Sequence, residues 1–495
     1  MTTRGTRDRS VAREAASVLA AQVVSHVTMA VLLVFLAHAL GTDQFGLFRL
    51  AVAIATIGIV LASQGVSSAT GRYLARAGTD GWSERSIVVR AGKLKVACSF
   101  ALALGLVALG QPLATVLGEP RIAPLVPLVA LIVVAGDLTT WLAVVFQSTR
   151  RASATVVMAL ARSCVEVVAV LVLVWAGFGT AGAITANGLG YLAACAVGLV
   201  LAGRRLTASG VQVGPTGREL MSYGRQIWYA EVAFIGFATV DQLMLQVFDG
   251  TRSVGVYDAA WQLATAPQLL GSALCAAVAP RLASMDRVSA SALFGSIAGL
   301  VVALYAALAV IVAALAVPLV EVVLARPYAR SADVLLALGP YLLLAGVAPL
   351  VSVTPNYLGL AGSRGRIALT TLGINAMLDA VLIPWLGVIG PALATAVALA
   401  VYVAWHLALC GRRLDIPYRS LVRATLVGLG AGLAAGAVGY GVVHVTPGGL
   451  FLRTIGAGLA AGSVALILLA LAGALRRDQL ALIGVPRSIR FPLDR

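Results

Sequence analysis

Three charged side chains stand in or at the edge of long apolar runs. Asp241 lies within QIWYAEVAFIGFATVDQLMLQVF (Gln226–Phe248), while Arg49 and Asp258 stand one residue beyond Phe48 and Tyr257 at the start of two others. A charge within a hydrocarbon-spanning helix costs roughly 2.5 to 3.5 kcal/mol on insertion scales, so such a residue has a partner or a task. Asp241, about fifteen residues into its helix at ~1.5 Å per residue, is placed to take up a proton or a sodium ion, or to pair with a cation in one of two conformations. A fixed interhelical hydrogen bond accounts for it equally. Arg49 and Asp258, of opposite sign, read as a gating pair; a guanidinium at that place also grips phosphate through two parallel hydrogen bonds. Snorkelling to the nearby interface is the competing account.

Other charged positions invite plainer readings. Arg72, Arg76, Arg150, Arg151, Arg364 and Arg366 cluster at predicted helix ends, where they could recruit a diphosphate headgroup; setting topology and touching anionic lipid are sufficient explanations. Glu231 is expected at an interface, and Asp137, Glu166 and Asp379 are expected to pack structurally, with Arg162 or Asn375 as partners. His26, His38, His406 and His444 lack metal-ligand spacing, so no metal is expected. Cys98, Cys164, Cys195, Cys275 and Cys410 show no CxxC pair and read as small packing residues.

The elements that must position these residues are membrane helices. Hydrophobic residues make up 60% of the 495 and charged ones 11%, far below the ~25% charge of a soluble domain. Fourteen helices are expected, near 15–40, 46–70, 92–117, 122–146, 153–176, 180–203, 226–248, 254–280, 292–324, 332–360, 366–385, 388–410, 421–443 and 452–475, each near the ~20 residues that a hydrocarbon core needs. The first run is too long for a cleavable signal and is taken as helix 1.

A net charge of +16 would suggest nucleic acid in a soluble chain. Here its distribution excludes that. Counted on alternate sides, Lys and Arg number 30 on the side of both termini and five on the other (Arg121, Arg252, Arg326, Arg330, Arg453). By the positive-inside rule both termini are cytoplasmic.

The chain also repeats itself. Gly41-Thr42, Gly46 and Phe48 align with Gly250-Thr251, Gly255 and Tyr257 at an offset of 209. GTAGAITANGLGYL from Gly179 aligns with GVIGPALATAVALA from Gly387 at an offset of 208, and Gly203-Arg204-Arg205-Leu206 meets Gly411-Arg412-Arg413-Leu414. Six helices separate equivalent points, so the copies share one orientation. The expected organisation is an all-α membrane protein with a six-helix lobe over 1–213, a second over 214–420, and two further helices with a tail over 421–495. The basic linker near 204–225 is expected to hold a short amphipathic surface helix. Loops this short leave no room for a nucleotide-binding domain, no GxxxxGK[ST] is present, and a glycan polymerase or ligase would need acidic groups on larger loops.

Three stretches then resemble a known family: GTDQFGLFRLAVAIATIGIVLASQGVSSATGRYLA, VDQLMLQVFDGTRSVGVYDAAWQL, and NYLGLAGSRGRIALTTLGINAMLDAVLIPWLGVIGPALATAVA. They are similar to the polysaccharide-unit (Wzx-type) flippases of the multidrug/oligosaccharidyl-lipid/polysaccharide (MOP) exporter superfamily, with Gly390-Pro391-Ala392 departing from the usual Gly-Ala-Ala. The resemblance covers most of 15–415. It implies two lobes around a central cavity that opens alternately to each side of a bacterial cytoplasmic membrane. It implies a substrate that is a lipid-linked (undecaprenyl-type) oligosaccharide, with polysaccharide polymerase or export machinery as partners and no catalytic residues or cofactor beyond a coupling H+ or Na+. A cation-coupled drug antiporter on the same fold is the alternative, and a polytopic glycan polymerase or ligase a more distant one.

Overall fold

The computed structural model describes residues 2–206, 214–282, 285–358, 360 and 364–474. The middle of the linker (207–213), part of the third resembling stretch (359 and 361–363) and the C-terminal tail (475–495) lie outside the described residues. Among the described residues the chain is helical throughout, without a strand. Nine stretches are long and apolar enough to cross a membrane, or ten if the bent pair Arg326–Ala337 and Gly339–Tyr357 is one span. This is a multi-pass membrane protein.

Three of those stretches, Ala20–Ser63, Ser153–Gly203 and Arg364–Cys410, contain 44, 51 and 47 residues. At a rise of ~1.5 Å each exceeds about 60 Å, twice a hydrocarbon core of ~30 Å. Each breaks at a left-handed glycine. Gly41 (φ 70, ψ 176) interrupts the first. Gly179 (φ 50) opens the second half of the next, and Gly387 (φ 56) does so in the third. The repeat is visible here in the backbone itself. Gly250 (φ 85, ψ 175) reproduces Gly41, and Gly387 reproduces Gly179, at the offsets seen in the sequence. Only glycine takes up such a conformation without penalty.

The chain packs as two compact units, residues 1–255 and 256–495. The first holds α1 (Thr2–Ser63), α2 (Val66–Asp80), α3 (Glu84–Ala108), α4 (Gly110–Val116), a 3-10 turn (Pro120–Leu125), α5 (Val126–Ser148), α6 (Ser153–Leu173), α7 (Gly179–Leu206) and α8 (Gly217–Asp249). The stretch left between the helices expected at 46–70 and 92–117 is mostly helix. After a left-handed break at Gln64 (φ 41) and Gly65 (φ 70), α2 runs on to Asp80 and α3 begins at Glu84. An apolar core of Val66, Leu74, Ile87, Trp141, Phe146 and Leu220 joins these helices. Among the described residues of the linker no separate surface helix forms; α8 runs unbroken for 33 residues. It is fixed at its start by a capping box, in which Glu219 N–H donates to Thr216 Oγ1 (3.3 Å) and Thr216 N–H to Glu219 Oε2 (2.6 Å). Arg90 donates to the carbonyls of Gly214 and Pro215 (2.8 and 2.9 Å), tying the linker's end to α3.

The division between units falls inside α9 (Thr251–Thr265). The second unit continues with α10 (Gln268–Leu282), α11 (Arg287–Ala314), α12 (Ala316–Leu324), α13 (Ser331–Ala337), α14 (Gly339–Ala345), α15 (Ala348–Tyr357), α16 (Arg364–Leu386), α17 (Gly390–Cys410), α18 (Tyr418–Val445) and α19 (Leu450–Leu471). The two helices beyond the repeat, α18 and α19, pack on α11 through small residues. A β-carbon at Gly428 would fall on the Ala303 carbonyl, and one at Gly432 would lie 2.8 Å from the Ala307 carbonyl. The i, i+4 spacing of Gly428, Gly432 and Gly436 thus brings two backbones together, the close approach by which helices associate in lipid. Ala431, Ala435, Ala457, Ala461 and Ala465 fill the rest of that core.

Candidate functional site

In the first unit, α8 is clasped at both ends by helices of the first repeat copy. Its N-terminal half presents Gly224, Trp228 and Glu231 along one face, at the i, i+4, i+7 spacing of a helix stripe. Gly224 packs on the Gln64–Gly65 break, where a β-carbon would lie 2.8 Å from the Gly65 carbonyl carbon. Trp228 Nε1–H donates to the Val60 carbonyl (2.8 Å), and Ser68 Oγ–H donates to Glu231 Oε1 (2.5 Å). Glu231 is therefore half-buried against a neighbouring helix, a closer engagement than an interfacial position implies.

At the other end of α8, Gln246 donates to the Leu117 carbonyl (3.3 Å). There Gly46 and Gly255, equivalent in the repeat, press together. A β-carbon on Gly46 would fall on the Thr251 carbonyl, and one on Gly255 on the Thr42 carbonyl. Beside them Arg121 grips two carboxylates, Asp43 (2.5 and 3.1 Å) and Glu119 (2.7 and 2.8 Å). Thr251 Oγ1–H completes the set by donating to Glu119 (2.6 Å). These hydrogen bonds, Arg121 foremost, hold the Glu119 carboxyl down to about 2. Three turns distant in sequence are locked here by charge-assisted bonds. Arg121 was counted in the sequence only as one of five cations on the sparse side; its two carboxylate partners come from turns far apart in the chain.

The first unit also holds a buried pair that sequence reasoning missed. Lys95, fully buried on α3, pairs with Asp137, 1% exposed on α5, and Ser99 Oγ–H donates to the same carboxylate (2.6 Å). Asp137 therefore takes neither Arg162 nor Asn375, the partners expected for it. The signal was present: Lys95 is one of only two lysines, four residues before Ser99 on one helix face. It fell within the helix expected over 92–117 but was counted only toward the basic side. Arg162 belongs inside the fold as well, paired with Glu166 (3.3 Å) and lying over the Tyr191 ring (3.9 Å), while Asn187 donates to Glu166 (2.6 Å). Removing both cations from the basic side leaves a ratio of 28 to five, so the bias is intact.

Asp241 is 3% exposed, beside the equally buried Gln242 and Gln246 on α8, and is engaged by neighbouring groups. Arg49 is half-buried on α1 and is also engaged. Arg72 lies 4.1 Å over the Tyr223 ring, and Arg76 pairs with Asp80 (3.2 Å). Arg150 and Arg151 form the turn between α5 and α6, Arg150 with a left-handed backbone (φ 56). In the second unit, Asp258 is fully buried and accepts from Gln262 (3.1 Å). It opens a row in which Tyr257 stacks on Trp261 and Trp261 meets Tyr341 (4.8 Å). Asn375 donates to Asp379 (3.2 Å), a pairing within the expected set. Arg364 is half-buried and Arg366 exposed at the start of α16. Among the described residues no group of three His, Cys, Asp or Glu side chains is placed to hold a metal ion.

Among the described residues buried charges are paired, as Asp137 is with Lys95 on a neighbouring helix and Glu166 with Arg162 on its own, and the helices approach one another at small residues. The fold is similar to that of the lipid II flippase MurJ in an inward closed conformation (TM-score 0.69, 14% identity, 91% of this chain and 98% of that one). It is also similar to an inward-facing multidrug resistance MATE family transporter of the MOP superfamily (TM-score 0.60, 14% identity, 77% and 94%). A mutant of the Vibrio cholerae MATE transporter VcmN is a third likeness (TM-score 0.54, 18% identity, 83% and 98%). At these identities the likeness establishes the fold. No curated protein matches the chain. The profile of a sequence family described as polysaccharide biosynthesis protein matches residues 11–286, more than half of the 495, and this chain belongs to that family.

Proposed function

We propose that this protein is a flippase that carries a lipid-linked oligosaccharide, the repeat unit of a polysaccharide, from the cytoplasmic to the outer leaflet by alternating access. The observation that carries this reading is the family match over residues 11–286; the fold it shares with a lipid flippase supports it. The membrane is a bacterial cytoplasmic membrane with both termini on the cytoplasmic side, a reading supported by the basic bias of alternate loops. Asp241 is the proposed coupling acid for H+ or Na+, and Arg49 and Asp258 are the proposed gating charges. Arg72, Arg76, Arg150, Arg151, Arg364 and Arg366 are proposed to gather the diphosphate headgroup. The carrier lipid is of the undecaprenyl type, and polysaccharide polymerase or export machinery receives the product.

The likeness to MATE transporters favours a second reading, a cation-coupled drug antiporter. One assay separates the two. Purified protein in vesicles is given a labelled undecaprenyl-linked oligosaccharide, and in parallel a fluorescent cationic drug under a proton or sodium gradient. Protein-dependent movement of the glycolipid supports the flippase; drug movement with none of the glycolipid overturns it.

A further inference from the structure

A cleft of about 520 Å³ opens in the second unit, where the first turns of α11 and α18 meet the residues that follow α19. Its lining changes character with depth. Ser420 and Arg423, both exposed, stand at the mouth beside the buried Ser291, and Gly299, Leu300 and Val427 line the part further along α11 and α18. From Ser291 to Gly299 along α11 is about 12 Å at ~1.5 Å per residue, the scale of the step from a headgroup to the upper acyl chain.

Among the described residues that line the cleft the one carboxylate, Asp415, is already neutralised. Arg287 holds Asp415 through two bonds (2.7 and 3.3 Å), and the Asp415 N–H donates to Ser291 Oγ (2.9 Å). Arg423 has no hydrogen-bond or ion-pair partner among the described residues and is exposed at the mouth. The inner part is open space: a β-carbon on Gly299 would meet nothing nearer than the Ala424 β-carbon at 3.9 Å. Tyr418, 51% exposed on the same turn of α18, supplies an aromatic ring of the kind that settles at headgroup level.

We propose that this cleft holds one anionic phospholipid of the leaflet that the basic loops face. Its phosphate lies on Arg423 and the Ser420 hydroxyl, and its upper acyl chain lies along Gly299, Leu300 and Val427. The charge complements a phosphate, and the gradient from polar to apolar fits an amphiphile better than a free anion. This is a resident lipid, and its binding is independent of any transported substrate.

The test is native mass spectrometry of the full chain in detergent, titrated with dioleoyl phosphatidylglycerol, with dioleoyl phosphatidylethanolamine, or with inorganic phosphate. The wild type should retain phosphatidylglycerol over phosphatidylethanolamine. Arg423→Glu, which reverses the charge at the mouth, and Gly299→Leu, which fills the inner part, should each weaken phosphatidylglycerol retention by about tenfold. Arg419→Glu, one turn away and outside the lining, should leave it near the wild-type value. Equal losses for Arg419→Glu and Arg423→Glu would reduce the effect to general surface charge and overturn the site. So would displacement of phosphatidylglycerol by inorganic phosphate, or a gain in retention when residues 475–495 are removed, which would assign the cleft to the chain's own C-terminal segment. The readout does not involve transport, so a failure here leaves the flippase reading untouched.

Discussion

Gly46 and Gly255, 209 residues apart and equivalent in the repeat, pack backbone against backbone, each occupying the space where the other turn's carbonyl leaves no room for a β-carbon. The duplication has placed a glycine on both sides of one contact. Gly46→Val should therefore force the turns apart and lower the melting temperature in detergent, by the equivalent of about 1–3 kcal/mol for an overpacked site. Gly430→Ala is the control. That glycine lies in a helix with nothing within 4 Å of an added β-carbon, so the change should be neutral or stabilising by about 0.5–1 kcal/mol. If Gly46→Val melts with the wild type, the contact has no mechanical weight.

The Lys95–Asp137 pair predicts strongly non-additive mutants. Lys95→Met leaves a buried carboxylate without its cation, which in known proteins costs about 3–5 kcal/mol. Adding Asp137→Leu removes the orphan and should recover most of that loss. A thermal-melt double-mutant cycle measures it. A double variant no more stable than Lys95→Met alone would mean that the pair acts independently, contrary to its geometry.

Glu119 supplies a pH signature. Its carboxyl titrates at about 2 in the fold against an ordinary 4.5, so the folded state favours its ionised form. Its contribution is fully present above pH 4.5 and is lost as pH falls from there toward 2. Glu119→Gln should flatten the stability curve across that window and lower stability at neutral pH, where Arg121 and Thr251 lose a charged acceptor. Melting temperatures of both proteins between pH 7 and the lowest pH that the detergent tolerates check it; parallel curves would rule Glu119 out as the source.

Asp241→Asn keeps the shape and hydrogen-bonding capacity of a buried side chain while removing its charge. If Asp241 is the coupling acid, glycolipid movement in vesicles should stop or lose its dependence on the ion gradient, with expression and melting temperature unchanged. Full, gradient-dependent activity in the variant would leave Asp241 a packing residue.

Periodicity and repetition made much of this fold legible. Left-handed glycines at 41 and 250, and again at 179 and 387, stand where the offset of about 209 puts them, because a glycine that breaks a helix is a local property of its own turn. Partnerships were harder to read. Glu119 and Thr251 are 132 residues apart, and Lys95 and Asp137 are 42 apart; which helices lie side by side decides such pairs, and hydropathy carries no such information. Averaging also misled between the helices expected at 46–70 and 92–117. Arginine and serine there lower the local hydropathy to that of a loop, although alanine, leucine and arginine are good helix formers, and the helices simply continue past the apolar stretch. Asp241 was visible as a buried acid from one sequence window, but its role was not, since burial alone does not distinguish a coupling site from a strut.

The clasp on α8 has a consequence for how the molecule is made. Val60, Gly65, Ser68 and Leu117, the partners that hold this helix along its length, all precede it in the chain. When α8 leaves the ribosome its berth has already been synthesised, so the first helix of the second copy can dock before the rest of that copy exists. Nascent chains long enough for α8 to have left the ribosome, but arrested before the second copy is complete, should already bury Trp228, and the order of synthesis, rather than the symmetry of the duplication, then decides with which half this helix assembles.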